Sequence, residues 1–209
     1  MRARGWVAVL AWLAVCGCQL RRPDTVASRM IEPQLSGEPA PQDSGTAAVQ
    51  VRLLETQARA HIGRRLLHQR PDGELIEDAV WRWSTAPDRY LDTALRLEFS
   101  GHGAVRLVDS PNATVLAVTL LAWQLEGDAA TRLLGAIEVR ITGADHVVRT
   151  EVVRDSEPVS GALPGDLSVA AGRLLRRLSS AVSKRVAANG STHPATRFGP
   201  AALPATALP

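Results

Sequence analysis

The stretch from Val115 to Leu125 constrains the fold more than any other part of the chain, because it is almost entirely apolar. Successive side chains of a strand point to opposite faces of its sheet, so a strand that is apolar on both faces needs cover on both. We therefore place this strand at the centre of a sheet, with a helix against one face. The second face contacts either another helix, as expected for a domain with one core, or another protein.

The neighbouring strands are joined by short links rich in turn-forming residues. Four strands are predicted in this half of the chain: Ala104–Asp109, Thr114–Glu126, Arg132–Thr142 and His146–Asp155. Links this short connect strands that run in opposite directions, so each strand is expected to lie antiparallel beside the next.

The preceding part of the chain contains three more predicted strands and the first of two predicted helices. The strands are Val49–Glu55, His61–Arg70 and Leu75–Trp83, and a Pro-Asp-Gly turn joins the last two. Thr85 is the expected cap of the first helix, because a proline and an aspartate follow it in the first turn. The run Gly101-His102-Gly103 is expected to end that helix.

A second helix is predicted over Asp166–Ala188, with leucine and valine on one face and arginine and lysine on the other. The basic face either lies on an acidic membrane surface or is the solvated side of an ordinary packing helix, and the second arrangement is commoner. Together these elements predict an α+β fold, in which a mainly antiparallel sheet of about five to seven strands packs with two helices. One domain, residues 47–189, contains all of them.

The beginning of the chain has the order of a secretory signal. Arg2 and Arg4 precede an uncharged, mostly apolar run from Gly5 to Val15, and apolar runs of about 7–15 residues are typical of such signals. A membrane-spanning anchor, which is the alternative, needs about 20 apolar residues. Residues 1–17 are therefore predicted to be a signal peptide.

The end of this signal, Val15-Cys16-Gly17-Cys18, resembles a bacterial lipoprotein box. The resemblance implies cleavage between Gly17 and Cys18, diacylglycerol on the Cys18 sulfur and an acyl chain on its new amino group. Several acyl chains hold a protein firmly in a bilayer, whereas a single chain holds it only marginally. Gln19 stands where an aspartate would retain such a protein at the inner membrane. The resemblance thus implies the periplasmic face of the outer membrane of a Gram-negative bacterium.

Cleavage and lipidation would use both cysteines of the chain, so no disulfide is expected and the core alone has to stabilise the fold. Residues 18–46 carry prolines among small and polar residues, and we predict that they form a disordered tether behind the anchor. Residues 190–209, rich in alanine and proline, are predicted to be a disordered tail.

The sequence lacks the residue patterns that carry catalysis, metal binding or nucleotide binding. No histidine has partners at the spacing of a metal site, and neither a nucleophile elbow nor a phosphate-binding loop is present. His102 is interpreted as part of a helix-ending loop, and Trp81, Trp83 and Trp123 are expected in the core. No interleaving of aromatic and basic residues indicates nucleic acid as a partner. We predict a protein that is not an enzyme and that has no metal site and no cofactor.

The order of motifs along the chain resembles that of a lipoprotein family. A spacer and a first strand precede an arginine-flanked strand at residues 64–70, an Arg-Trp pair and proline-started helix at 81–87, and Leu121–Leu125 within a long strand. This order is similar to that of the auxiliary lipoproteins of ABC-type transport systems, the PqiC-like group that accompanies MCE-domain lipid transporters. The chain departs from the group at His68, where an aromatic residue is common.

The resemblance implies a non-catalytic protein, anchored through Cys18, that holds or receives the end of a lipid conduit across the periplasm. Its partners would be MCE-domain and ABC permease proteins, which are separate chains. The resemblance leaves open whether the protein also forms a homo-oligomer. The alternative is an envelope-assembly or ligand-binding lipoprotein unrelated to MCE systems.

Overall fold

The computed structural model describes residues 27–35, 48–100, 103–127, 131–143, 145–161 and 164–191. Nine strands and two helices lie in these ranges. In chain order they are β1 (Arg29–Ile31), β2 (Val49–Leu53), β3 (Gln57–Ala58), β4 (Arg65–Gln69), β5 (Leu75–Trp83), α1 (Pro87–Ser100), β6 (Val105–Leu107), β7 (Thr114–Glu126), β8 (Arg132–Thr142), β9 (Val148–Pro158) and α2 (Gly165–Ser191).

All nine strands belong to one sheet, and β7 lies at its centre as the sequence predicted. Along one side of β7 lie β8 and then β9, each antiparallel to its neighbour. Along the other side β2, β3 and β4 follow one another, and all three run parallel to β7. Beyond them, β6 pairs with β2, β5 pairs with β4, and β1 pairs with β5.

The α+β class and the single domain fit this structure, but the prediction of a mainly antiparallel sheet of five to seven strands was wrong. The sheet is mixed and has nine strands, since β1–β5, β2–β6 and the three pairings on one side of β7 are parallel. Parallel strands need a long connection, and here the hairpin β4–β5 and helix α1 separate β2 from β6 and β7.

The predicted antiparallel pairing of β6 with β7 was also wrong, although the link between them is short. Both strands pair with β2: residues 49–51 of β2 match β6, and residues 51–53 match β7. Because the two pairings are staggered along β2, the chain crosses from one side of β2 to the other without reversing direction. The antiparallel predictions for β7–β8 and β8–β9 were confirmed.

Both helices pack on the same face of the sheet. Leu116, Val118 and Leu120 on that face of β7 are at most 1% exposed and belong to one core with the apolar residues of α1 and α2. On the other face, Val115 and Ala117 are only half-buried. Of the two covers expected for the second face, another helix is not found in the part of the chain that the structure describes, and contact with another protein stays a prediction.

Part of the predicted tether is ordered. Residues 27–35 include β1, in which Ile31 is 1% exposed, and a following stretch with the buried Pro33. The predicted signal peptide, the rest of the predicted tether and residues 192–209 of the predicted tail lie outside the described residues. Among the described helices, neither combines the length and the apolar character that a membrane span requires.

Candidate functional site

The residues predicted to carry chemistry, Gly17 and Cys18, lie outside the described residues, as does His102. Among the described residues, no group of three or more histidines, aspartates and glutamates is placed to hold a metal ion. The structure instead draws attention to the first range of described residues after Cys18. These residues, 29–35, lie between β5 and α2, and we call their packing there the N-terminal seam.

Backbone hydrogen bonds hold the N-terminal seam on both sides. On the sheet side, β1 pairs with the end of β5, and the Ser84 N–H donates to the carbonyl of Ile31 at 2.9 Å. On the helix side, the Gln34 N–H donates to the Ser168 carbonyl at 3.1 Å, and the Ser168 hydroxyl donates to the Glu32 carbonyl. Segment 29–35 therefore bridges the sheet and the first turn of α2.

Gly172 makes this close packing on α2 possible. A Cβ at this position would overlap the carbonyl carbon and oxygen of Gln34. Glycine is unfavourable in the middle of a helix, by about 1 kcal/mol relative to alanine. Its place here is explained by the backbone of the seam, which passes where a side chain would otherwise stand.

A polar cluster fastens the seam to the start of α1. The Tyr90 hydroxyl accepts a hydrogen bond from the Thr85 N–H at 3.0 Å and donates to the Glu32 carboxylate at 3.2 Å. The Ser84 hydroxyl bonds to both Tyr90 and Glu32. Burial raises the pKa of Tyr90, and the Glu32 charge adds to this against the hydrogen bonds from Ser84 and Thr85. The phenol therefore stays protonated at neutral pH, as its donation to Glu32 requires.

Arginines surround the same place on the sheet. The Arg64 guanidinium donates to the carbonyls of Trp83 at 3.3 Å and Ser84 at 2.7 Å, and its other contact is the Met30 sulfur at 3.9 Å. The Arg29 guanidinium carbon lies 5.5 Å from the centre of the Trp81 ring, within the range of a cation–π contact. Cationic side chains thus line the edge at which the described chain begins.

The tryptophans follow the core prediction in two of three cases. Trp83 and Trp123 are at most 1% exposed, and their ring centres lie 5.8 Å apart in the core. Trp81, in contrast, is only half-buried: it packs against the core near the sheet edge, and Arg29 lies against its ring.

The apolar face of α2 packs on the sheet, as the commoner of the two predicted arrangements requires, and three arginines of its basic face bind acids of β9. Arg177 binds Asp155 at 2.6 Å and also binds Glu157, which Arg173 approaches at 3.4 Å. Farther along the helix, Arg185 binds a glutamate of β9 at 2.8 Å. The hydrogen bond to Asp155 is the main reason that the pKa of Arg177 is raised. These arginines are neutralised within the domain, a pairing that helical periodicity could not reveal because the acids lie on β9.

The hairpin of β4 and β5 carries a hydrogen-bonded pair of a histidine and an aspartate. His68 Nε2 lies 3.0 Å from a carboxylate oxygen of Asp78, whose other oxygen accepts the N–H groups of Val80 and Trp81 at 2.8 Å. Burial would raise the pKa of Asp78, but the two backbone donors and His68 outweigh it and lower that pKa. The pair holds the irregular part of β5, where the register with β4 shifts.

Comparison with known proteins gives a fold and no more. No family model matches the chain, and no curated protein matches its sequence. A Xanthomonas campestris protein of the DUF330 family model has a similar structure, with a TM-score of 0.68 at 15% identity over 78% of this chain and 98% of that chain. For a hypothetical protein from Chlamydia trachomatis the TM-score is 0.53 at 14% identity, over 70% of this chain and 100% of that chain. A minor lipoprotein from Acinetobacter baumannii is a more distant match, with a TM-score of 0.39 at 15% identity over 67% and 93%. The chain therefore has the fold seen in the DUF330 protein.

Proposed function

We propose that this protein is a lipoprotein of the outer membrane, anchored through Cys18, and a non-catalytic accessory component of an ABC/MCE-type lipid transport system. The N-terminal seam is the observation that carries the proposal. It joins the chain that follows Cys18 to the sheet, to α1 and to α2, so that acyl chains on Cys18 would hold the whole domain at the membrane.

The accessory role rests on the resemblance of the sequence to the PqiC-like lipoproteins. The polar cluster around Tyr90 supports a structural rather than a catalytic use, because each of its bonds fastens one element to another. In such a system the permease and ATPase are separate chains, and this domain would hold the end of the conduit at the periplasmic face.

Replacing Cys18 tests the anchor. In cells given radiolabelled palmitate, the wild-type protein is expected to incorporate label and to sediment with outer membranes, whereas Cys18→Ala is expected to do neither. Cys16→Ala is the matched control and should behave as the wild type. Retention of the Cys18→Ala protein in the membrane fraction would refute the anchor.

Affinity capture from detergent-solubilised membranes tests the accessory role. Recovery of an MCE-domain protein with the wild type is expected. Reproducible recovery of envelope-assembly factors, without any MCE-domain protein, would refute the role and support an assembly lipoprotein instead. Light scattering of the purified protein would show whether it forms a homo-oligomer.

A further inference from the structure

The sheet edge formed by β1 and the end of β5 carries a cluster of arginines that the fold neutralises only in part. Arg82 lies at the centre, because its register partners are Met30 on one side and Arg65 on the other. Arg64 contacts Met30, which shares one face of the strands with Arg82, whereas Arg29 and Trp81 pair on the opposite face of the same edge. We call these six residues the basic edge.

Two carboxylates lie near the four arginines of the basic edge: Glu77, and Glu32, which is bonded to Ser84 and Tyr90. Arg65 binds Glu77 at 2.6 Å, but Arg29, Arg64 and Arg82 make no ion pair within the residues that the structure describes. The Arg82 Nε atom is buried and has no hydrogen-bond acceptor there. The arginines of α2, in contrast, are matched by the acids of β9. Positive charge is therefore left over at one particular edge.

The basic edge also has the side chains that suit a membrane interface. Met30 is 52% exposed, and Trp81, on the opposite face of the same edge, is half-buried against the core. Tryptophan concentrates where a bilayer meets water, because its ring is apolar and its N–H is polar. The guanidinium group binds phosphate oxygens in a planar, bidentate manner. Arginine, tryptophan and an exposed methionine together match the headgroup region of an anionic phospholipid bilayer.

The position of the anchor brings this edge to the bilayer. From residue 18 to residue 27 the chain has nine peptide units, which span at most about 30 Å when fully extended. A domain of this size is roughly 40 Å across. The described chain enters the domain at β1, so the basic edge is the first part of the described surface that follows Cys18 along the chain.

We propose that the basic edge rests on the anionic phospholipid headgroups of the membrane that holds the acyl chains of Cys18. This proposal relies on the proposed anchoring of Cys18. It orients the domain with β1 towards the bilayer and β9 away from it. In the strand order β9-β8-β7-β4-β5-β1, these two edges are five strand spacings apart, which is about 24 Å.

Single labels on the lipidated protein test this orientation. With Cys16 removed and Cys18 acylated, an introduced cysteine is the only free thiol, so Met30→Cys and Val152→Cys can each carry one donor dye. The two positions are matched in exposure, at 52% and 51%. In vesicles of phosphatidylcholine with 30% phosphatidylglycerol and a headgroup-labelled acceptor lipid, transfer from position 30 is expected to exceed transfer from position 152.

The dependence of energy transfer on lipid charge and on salt tests whether the headgroups are the ligand. Transfer from position 30 is expected to fall on pure phosphatidylcholine vesicles and when NaCl is raised from 0.05 to 0.5 M, since salt screens the attraction. Arg29→Gln with Arg82→Gln should weaken the contact by roughly fivefold per arginine. The control pair Arg140→Gln with Arg154→Gln removes the same charge from exposed positions on β8 and β9 and should have little effect.

The outcomes separate this proposal from the anchor itself. Equal transfer from the two positions, or transfer that ignores lipid charge and salt in vesicles that retain the protein, would overturn the basic-edge proposal and leave the anchor intact. Insensitivity to lipid charge would then favour an acidic protein as the partner of this edge. If mass spectrometry finds no lipid on Cys18, the proposed function fails and the orientation fails with it. The salt series needs no arginine substitution, only the labelled Met30→Cys protein, so it decides the question even if the Arg82 substitution prevents folding.

Discussion

Replacing Gly172 by alanine tests whether the N-terminal seam is an integral part of the domain. The new methyl group would overlap the Gln34 carbonyl, which is backbone and cannot turn aside as a side chain would. Either α2 shifts or segment 27–35 leaves its place. Because departure of the segment removes the overlap, the loss of stability cannot exceed what the seam contributes.

The magnitude follows from the contacts that departure would break. Exposing Ile31, now 1% exposed, costs about 1.5–3 kcal/mol, and each lost backbone hydrogen bond costs about 0.5–1.5 kcal/mol. The freed residues regain conformational entropy, and alanine favours the helix over glycine by about 1 kcal/mol. The net expectation is a decrease of about 1–3 kcal/mol in the free energy of unfolding, or roughly 3–10 °C in Tm.

Two measurements check this prediction. Urea unfolding followed by circular dichroism gives the change in global stability. Limited trypsin digestion reports the seam itself, because the bond after Arg29 is protected while β1 is paired with β5. Cleavage there should be at least about tenfold faster in Gly172→Ala, since about 1.4 kcal/mol of local stability corresponds to a factor of ten.

Gly165→Ala is the matched control on the same helix, because nothing lies within 4 Å of a Cβ at that position. It should be neutral or slightly stabilising. The reasoning would be refuted if Gly172→Ala were as stable as the wild type or more so, with unchanged cleavage after Arg29. Helix propensity would then dominate, and the seam would not be closely packed against α2.

Three further substitutions test the polar contacts of the fold. Glu157→Gln removes the buried carboxylate that two arginines of α2 share. We expect the free energy of unfolding to fall by only about 1–2 kcal/mol, because those arginines are themselves partly exposed. Urea unfolding at pH 7 measures this loss, and an unchanged midpoint would contradict it. Asp78 has a lowered pKa in the folded state, so its stabilising effect is present above the unfolded pKa of about 4 and disappears as the pH falls through the folded value. Asp78→Asn should therefore show a shallower loss of Tm below about pH 4 than the wild type, and parallel pH profiles would exclude this role. Tyr90→Phe leaves the Thr85 N–H without its acceptor and should cost about 1–3 kcal/mol, measured by thermal unfolding; a variant with unchanged Tm would show that water replaces the phenol.

Several elements were predictable because their signals are local. Both helices, the strands β7, β8 and β9, and the turn before β5 were recognised within a few residues from spacing and turn chemistry alone. The basic face of α2 was also visible in the sequence, but its meaning was not. Its partners Asp155 and Glu157 lie on β9, and helical periodicity carries no information about residues on another element.

The N-terminal seam shows a different limit. Composition indicated a disordered segment, because aliphatic residues are sparse between Gln19 and Thr46. Two buried residues, Ile31 and Pro33, and a few backbone hydrogen bonds are enough to order part of it when β5 and α2 already provide the groove. The sequence did contain one signal, Gly172 in the middle of a predicted helix. A glycine there indicates that another part of the chain packs closely against the helix, but it does not say which part.

By itself, the sequence determined the central strand, the α+β class and the resemblance of residues 15–18 to a lipidation motif, since each depends on neighbouring residues and their periodicity. Only the tertiary structure decided that the strands on one side of β7 run parallel to it, that both helices share one face, and that arginines gather at the sheet edge formed by β1 and the end of β5. These features arise from pairings between residues far apart in the chain. Backbone hydrogen bonds favour such pairings almost regardless of side chain, so the local sequence does not reveal them.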